Sequence, residues 1–217
     1  MADGFGLYLV MTDPVAGYEA CAAAAVRCGV RYLQLRMKGE PRAAVLETAL
    51  RVREATLGSD TLFIVNDDVS IAREVDADGV HLGQRDMSID EARRLWSAPG
   101  KRFGLSTHDE RQALLAARRS PDYIGVGPVF ATPTKAVPDP IIGLERMASI
   151  VRSSPVAAVV LGGIDCGNLA EVLRRGVRNF CVVRAVTRRP DPETAIRELQ
   201  CIWRQAVKAS PALRPVP

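Results

Sequence analysis

Three cations and two carboxylates, far apart in the chain, carry the first chemical signal in this sequence. Brought together, Arg36, Lys38 and Lys135 can hold a diphosphate, with a guanidinium fork for paired oxygens and ammonium groups as point charges. Asp67 and Asp86 can share Mg²⁺, a hard cation often held by one or two carboxylates with phosphate oxygens and water. Gly162-Gly163 admits close backbone approach, and Thr132 and Thr134 bring hydroxyls on a loop with Pro128, Pro133, Pro138 and Pro140, long enough to act as a lid. Each signal also has an ordinary explanation. Arg-x-Lys is commonly a solvated edge, Asn66-Asp67-Asp68 a turn or helix cap, and a glycine pair a tight turn. His81 and His108 read as core and surface residues more readily than as catalysts. Their shared position in the chain is what raises these residues above background.

Each group follows a short apolar run. Strand-like runs fall at 7–11, 32–35, 62–65, 79–82, 103–105, 123–126, 156–161 and 180–183. Segments of helical periodicity lie between and after them, at 18–28, 42–56, 69–75, 89–96, 110–119, 144–151, 168–175 and 192–208. Asp109 and Asp191-Pro192 supply helix-start signals. Eight strand-plus-helix units predict an α/β fold, a single (β/α)8 TIM barrel over residues 1–209, with a frayed proline-bearing tail at 210–217. Such a barrel keeps its active site at the carboxyl ends of its strands. Alternation along 33–38 sends Gln34, Arg36 and Lys38 to one side, with Leu33 and Leu35 to the other. Asn66 and Asp67 follow the third run, His81, Gln84 and Asp86 the fourth, and Ser106-Thr107-His108 the fifth. Gly162-Gly163 ends the seventh and Arg184 the eighth. Loops seven and eight are a common phosphate site in this fold.

Composition removes other classes. The 217 residues are 47% hydrophobic, enough for a sizeable core, while 5% aromatics and a charge of +4 do not suit a nucleic-acid stacking platform. No apolar stretch is long enough to span a membrane, and the start Met-Ala-Asp-Gly lacks the basic opening of a signal peptide. Five cysteines without a C-x-x-C pair read as reduced thiols, with Cys21 and Cys28 as packing residues. The expectation is a cytoplasmic enzyme of small molecules, with no nucleic-acid or membrane partner; a homo-oligomer is compatible with the pattern. Zinc spacing, a G-x-S-x-G elbow, a P-loop and a dinucleotide fingerprint are missing.

In order along about residues 8–185, the motifs resemble those of thiamine-phosphate synthases. They are LQLRMK at 33–38, VNDD at 65–68, ADGVHLGQRDM at 77–87 and GLSTH at 104–108, then DYIGVGPVF at 122–130, TPTK at 132–135 and LGGI at 161–164. The block at 77–87 and the TPTK element are the most specific. The resemblance implies that hydroxymethylpyrimidine diphosphate ionises, losing pyrophosphate, and that the nitrogen of a thiazole phosphate captures the cation. It implies diphosphate-substrate contacts from Gln34, Arg36, Lys38, Asn66 and Lys135, Mg²⁺ ligands in Asp67 and Asp86, and a pyrimidine contact in Ser106. Thr132, Thr134, Gly162, Gly163, Val183 and Arg184 would face the thiazole phosphate. Two positions depart from the family pattern. Met37 stands where an acidic residue is usual, pointing away from Arg36, and Arg184 stands where serine is usual. A thiazole tautomerase-type homologue and a non-catalytic barrel binding a phosphorylated ligand are the competing readings.

Overall fold

The computed structural model describes residues 4–134 and 139–209. Eight parallel strands close into a barrel in chain order: β1 (Gly6–Met11), β2 (Tyr32–Leu35), β3 (Leu62–Asn66), β4 (Gly79–Leu82), β5 (Arg102–Thr107), β6 (Tyr123–Val126), β7 (Ala158–Val160) and β8 (Asn179–Val182). Helices α1 (Tyr18–Arg27), α2 (Arg42–Thr56), α3 (Val69–Glu74), α4 (Ile89–Leu95), α5 (Glu110–Ala117), α6 (Gly143–Ser153) and α7 (Leu169–Arg174) each lead from one strand to the next. The (β/α)8 expectation holds.

Strand periodicity divides the apolar residues between two cores. Leu7, Leu9, Met11, Leu33, Leu35, Phe63, Val65, Val80 and Leu82 face outward into the layer beneath the helices. Tyr8, Val10, Ile64, Tyr123, Val159 and Cys181 fill the barrel's interior. Met37 packs against the outer core, away from Arg36 as its parity requires.

The structure differs from the sequence reading at three elements. A single-turn helix, α8 (Arg184–Thr187), follows β8, so Val183 caps that helix and is no longer strand. The helix called at 192–208 is therefore the ninth element of its kind, α9 (Pro192–Ala209). β7 is confined to three residues, while β5 runs longer than its apolar centre. The tail at 210–217 lies outside the described residues.

The helix starts read from sequence are capped as expected. Asp109 Oδ1 accepts from Gln112 N at 2.7 Å, and Asp191 Oδ1 accepts from Thr194 N at 3.1 Å with Pro192 opening α9. Among the described residues, no helix is long and apolar enough to cross a membrane. All five cysteines are unpaired, with Cys21 buried in α1.

Two motif acids hold the barrel's lower end. Asp78 Oδ2 accepts from Phe63 N at 2.8 Å and from Arg53 Nη1 at 3.0 Å. Asp122 repeats the device two strands on, with Oδ2 accepting from Phe103 N at 2.8 Å and Oδ1 from Arg102 Nη1 at 2.8 Å. Each carboxylate lies one residue before its own strand and satisfies the first free N–H of another. Hydrogen bonds to a charged partner contribute about 1.5–3 kcal/mol. Asp78→Ala is therefore expected to lower unfolding stability by about that amount, measured by urea denaturation, while KM for any substrate at the opposite end stays unchanged.

Candidate active site

The carboxyl ends of the strands open into a cavity of about 420 Å³. Inward parity brings Gln34 and Arg36 into it from β2 and its end, Asn66 from β3, His81 from β4 and Ser106 from β5. Thr132 and Thr134 enter from the loop after β6, Gly162 and Gly163 from the turn after β7, and Val183 and Arg184 from the start of α8. Ten of the side chains or glycines expected from the sequence thus share one cavity wall or another. Thr132 Oγ1 and Thr134 Oγ1 lie 3.0 Å apart, so the two hydroxyls act as one polar edge. Lys135, called with them, lies outside the described residues.

None of Lys38, Asp67 and Asp86 lines this cavity; the three meet one another beyond the strand ends that carry Arg36 and Asn66, as a rim beside it. The Lys38 ammonium donates to Asp67 Oδ2. The Asp67 and Asp86 carboxyls lie close enough to interact directly, and Asp86 Oδ2 accepts from Gly83 N at 2.7 Å. The electrostatics tie rim to cavity. Burial pulls the Arg36 guanidinium below its ordinary value, and the carboxylates of Asp67 and Asp13 oppose that shift. Burial also pushes the Asp67 carboxyl up to about 6, and Asp86 adds to the rise while Lys38 counters it. Asp86 goes the other way: burial would raise it, but the hydrogen bonds from Asp67 and Gly83, with the charge of Lys38, hold it below the usual carboxylate range. Above about pH 6 both carboxylates are charged, and two like charges held this close favour a cation between them.

Asp67 is bent into this position. Its φ is +63°, in the left-handed region where a side chain other than glycine, asparagine or aspartate is uncommon. Its N–H donates to His81 O at 2.8 Å, which fixes the bend to β4. The next residue, Asp68, is the cap of α3, with Oδ1 accepting from Ile71 N at 2.9 Å. The Asn-Asp-Asp signal therefore contains both of its meanings, a cap and a site, in neighbouring residues.

Sequence reasoning missed a polar interior below the rim. Gln34 Nε2 donates to Tyr8 Oη at 2.8 Å, and Tyr8 Oη lies 2.8 Å from Tyr123 Oη. His81 places Nδ1 at 3.2 Å from Tyr123 Oη and Nε2 at 2.9 Å from Ser106 Oγ. Tyr8 and Tyr123 read in sequence only as strand apolars; their inward parity with Val10 and Gly125 was the available signal. His108 also lines the cavity, with Nδ1 at 2.6 Å from Gly127 O and Nε2 at 3.6 Å from Asp139 Oδ2. Arg188, one turn beyond Arg184, lines it too and was hidden by the unread α8.

Gly162 and Gly163 are required where they stand. Both have positive φ, +103° and +66°, and a Cβ on Gly162 would lie 2.4 Å from Pro128 Cα. The turn after β7 thus packs directly on the loop after β6, whose Phe130 N donates to Gly162 O at 3.0 Å.

Two carboxylates on a rim, with no group of three or more His, Cys, Asp or Glu side chains able to hold a metal among the described residues, do not form a closed protein cage. They do fit Mg²⁺, which keeps waters and takes its remaining ligands from phosphate oxygens.

Comparison with known proteins identifies the family. The sequence model of the family described as thiamine monophosphate synthase matches residues 7–186. The thiamine-phosphate synthase of Archaeoglobus fulgidus is 40% identical over 201 residues, which cover 92% of this chain and 93% of that protein. The thiamine-phosphate synthase of Synechocystis sp. is 42% identical over 193 residues, 89% of this chain; the match spans only 55% of that longer relative. The solved thiamine phosphate pyrophosphorylase of Pyrococcus furiosus superposes with a TM-score of 0.84 at 34% identity, covering 94% of this chain and 97% of that one. On the family match across the whole barrel and the relatives that share its length, the chain belongs to the thiamine-phosphate synthase family of transferases.

Proposed function

We propose that the cavity and its rim join hydroxymethylpyrimidine diphosphate to a thiazole phosphate, with or without a ring carboxyl, giving thiamine phosphate and pyrophosphate. The carrying observation is the junction of two unlike regions: a cationic and carboxylate rim at Lys38, Asp67 and Asp86, and a cavity lined by Arg36, Asn66 and Ser106. The bond between the pyrimidine methylene carbon and the diphosphate oxygen breaks with its electron pair on oxygen. The thiazole nitrogen then donates its lone pair to that carbon. No protein nucleophile or strong base is needed.

Each residue's task follows from that polarity. Arg36 and Lys38 take up negative charge as it grows on the departing oxygen, and Lys135 joins them from the loop after β6. Asn66 and Gln34 orient the pyrimidine diphosphate, and Ser106 meets its ring. Asp67 and Asp86 hold Mg²⁺, which supplies charge neutralisation for the leaving group. Thr132, Thr134, Gly162, Gly163, Val183 and Arg184 receive the thiazole phosphate. The cavity walls of Val159, Leu161 and Val183 keep water from the reactive carbon, so that the ring nitrogen captures it first. These reactants are small soluble molecules, in keeping with a cytoplasmic setting.

The test is pyrophosphate release on mixing both substrates with Mg²⁺, repeated with a chelator. Release requires both substrates and the metal; release of pyrophosphate from the pyrimidine diphosphate alone at the same rate contradicts coupled transfer. A second measurement addresses Arg184, which starts α8 at the cavity edge. A charge-assisted phosphate contact contributes about 1.5–3 kcal/mol, so Arg184→Ser is expected to raise KM for the thiazole phosphate by about tenfold to a hundredfold. An unchanged KM removes Arg184 from the phosphate site.

A further inference from the structure

We propose that the buried chain Gln34–Tyr8–Tyr123–His81–Ser106 fixes the Ser106 hydroxyl as a hydrogen-bond donor into the cavity, selecting a ring with an acceptor atom at that point. Tyr8, Tyr123 and His81 are then positioning residues that act through Ser106. The proposal rests on the reading that Ser106 meets the pyrimidine.

The direction of the chain follows from counting hydrogens. Tyr8 and Tyr123 are 2% and 1% exposed, and burial pushes both phenols well above their ordinary value, so each keeps one hydrogen to give. The Tyr8 oxygen already accepts from Gln34 Nε2. If Tyr8 donates to Tyr123, then Tyr123 donates to His81 Nδ1, and the imidazole hydrogen sits on Nε2 facing Ser106 Oγ. Ser106 accepts that bond and turns its own hydrogen to the cavity it lines. Run backwards with the Gln34 amide oriented as it stands, Tyr8 would accept twice and aim its hydrogen at the amide N–H of Gln34, setting buried donor against donor. Leaving such a group unsatisfied costs about 1–3 kcal/mol. The forward direction wins.

A second observation shows that the barrel is built around this chain. Gly104 of β5 is paired with His81 on one side and Tyr123 on the other. A Cβ there would lie 2.2 Å from Tyr123 Cζ and 2.6 Å from His81 Nδ1. Only a glycine leaves room for the phenol and imidazole to meet across β5, stacked at 5.5 Å between centroids with planes 20° apart. The tautomer that makes Ser106 a donor is thus set by Tyr123 on the neighbouring strand β6, two strands away from His81 in the wall.

The test is a double-mutant cycle with Tyr123→Phe and Ser106→Ala, read as kcat and KM for each substrate. Tyr123→Phe keeps the ring volume and removes the hydrogen that holds His81 in its tautomer. It is expected to raise KM for the pyrimidine diphosphate by about tenfold, with KM for the thiazole phosphate unchanged. In the Ser106→Ala background the same substitution is expected to add less than about twofold, since the residue it acts through is gone. Equal effects in both backgrounds, or an unchanged KM, overturn the relay while leaving Ser106 as a contact. A Ser106→Ala enzyme with wild-type kinetics overturns the Ser106 assignment itself. Should Tyr123→Phe fail to fold, His81→Phe keeps a ring in place, removes the N–H that faces Ser106 Oγ and is read in the same cycle.

Discussion

Replacing Arg36 with alanine is expected to lower kcat/KM for the pyrimidine diphosphate by about a hundredfold to a thousandfold, the usual loss when a preorganised charge contact to a transition state is removed. The size of the effect comes from burial. Arg36 lines the cavity with its guanidinium largely out of water, near Thr12 Oγ1 at 3.5 Å and under the influence of Asp67 and Asp13. A cation partly withdrawn from solvent before the substrate arrives loses less to reorganisation as charge develops on the leaving oxygen. An exposed lysine would give less. The measurement is steady-state pyrophosphate release, and more than half of wild-type activity in Arg36→Ala would contradict the role. Lysine at this position should restore only part of the loss, because an ammonium cannot reproduce a two-pronged contact.

Asp67→Asn is the second large effect, and it separates stability from activity. Asparagine tolerates the left-handed backbone at +63° and can keep a hydrogen bond to Asp86. Burial holds the Asp67 carboxyl at about 6, above its ordinary value. A raised folded-state value means that the group's favourable contribution is complete below the unfolded value of 3.8 and is lost as pH rises through about 6. At pH 7.5 the metal-free wild type therefore carries an unfavourable buried charge that the variant lacks. Metal-free Asp67→Asn is expected to unfold at or above the wild-type temperature at that pH, yet to need at least about tenfold more Mg²⁺ for half-maximal activity. As pH falls through about 6, Mg²⁺ must also compete with the proton that Asp67 takes up. Wild-type affinity should then fall about tenfold between pH 7.5 and pH 5, seen as a smaller Mg²⁺-induced rise in Tm. A pH-independent shift in Tm, or an unchanged metal requirement in the variant, would contradict the pair as a cation site.

Much of this site was legible because barrel strands obey a period of two. Gln34 and Arg36 reach the cavity, and Leu33 and Leu35 the outer core, from parity alone. The same rule was not carried through to Tyr8 and Tyr123, since a tyrosine in a strand looks like any large apolar residue. Its hydroxyl becomes informative only when a partner 115 positions away in sequence is known to lie beside it. The one-turn helix α8 escaped for a different reason. The run from Phe180 to Val186 is valine-rich and apolar except at Arg184, and four helical residues are too few to show a period of 3.6. Asp78 sits inside one of the two most specific motifs and Asp122 opens another family motif, yet both serve the barrel's far end. Motif membership thus marked residues that the fold and the site need alike, and only geometry told the two apart.

The claim beneath all of this is that separated cations and carboxylates meet on one rim to hold a metal-bound leaving group. Its most direct test is a crystal structure of the protein grown with Mg²⁺ and pyrophosphate. The account predicts the cation against the Asp67 and Asp86 carboxylates, with pyrophosphate oxygens on it and on Arg36 and Lys38. Pyrophosphate bound away from that rim, or a cation that touches neither carboxylate, would contradict it.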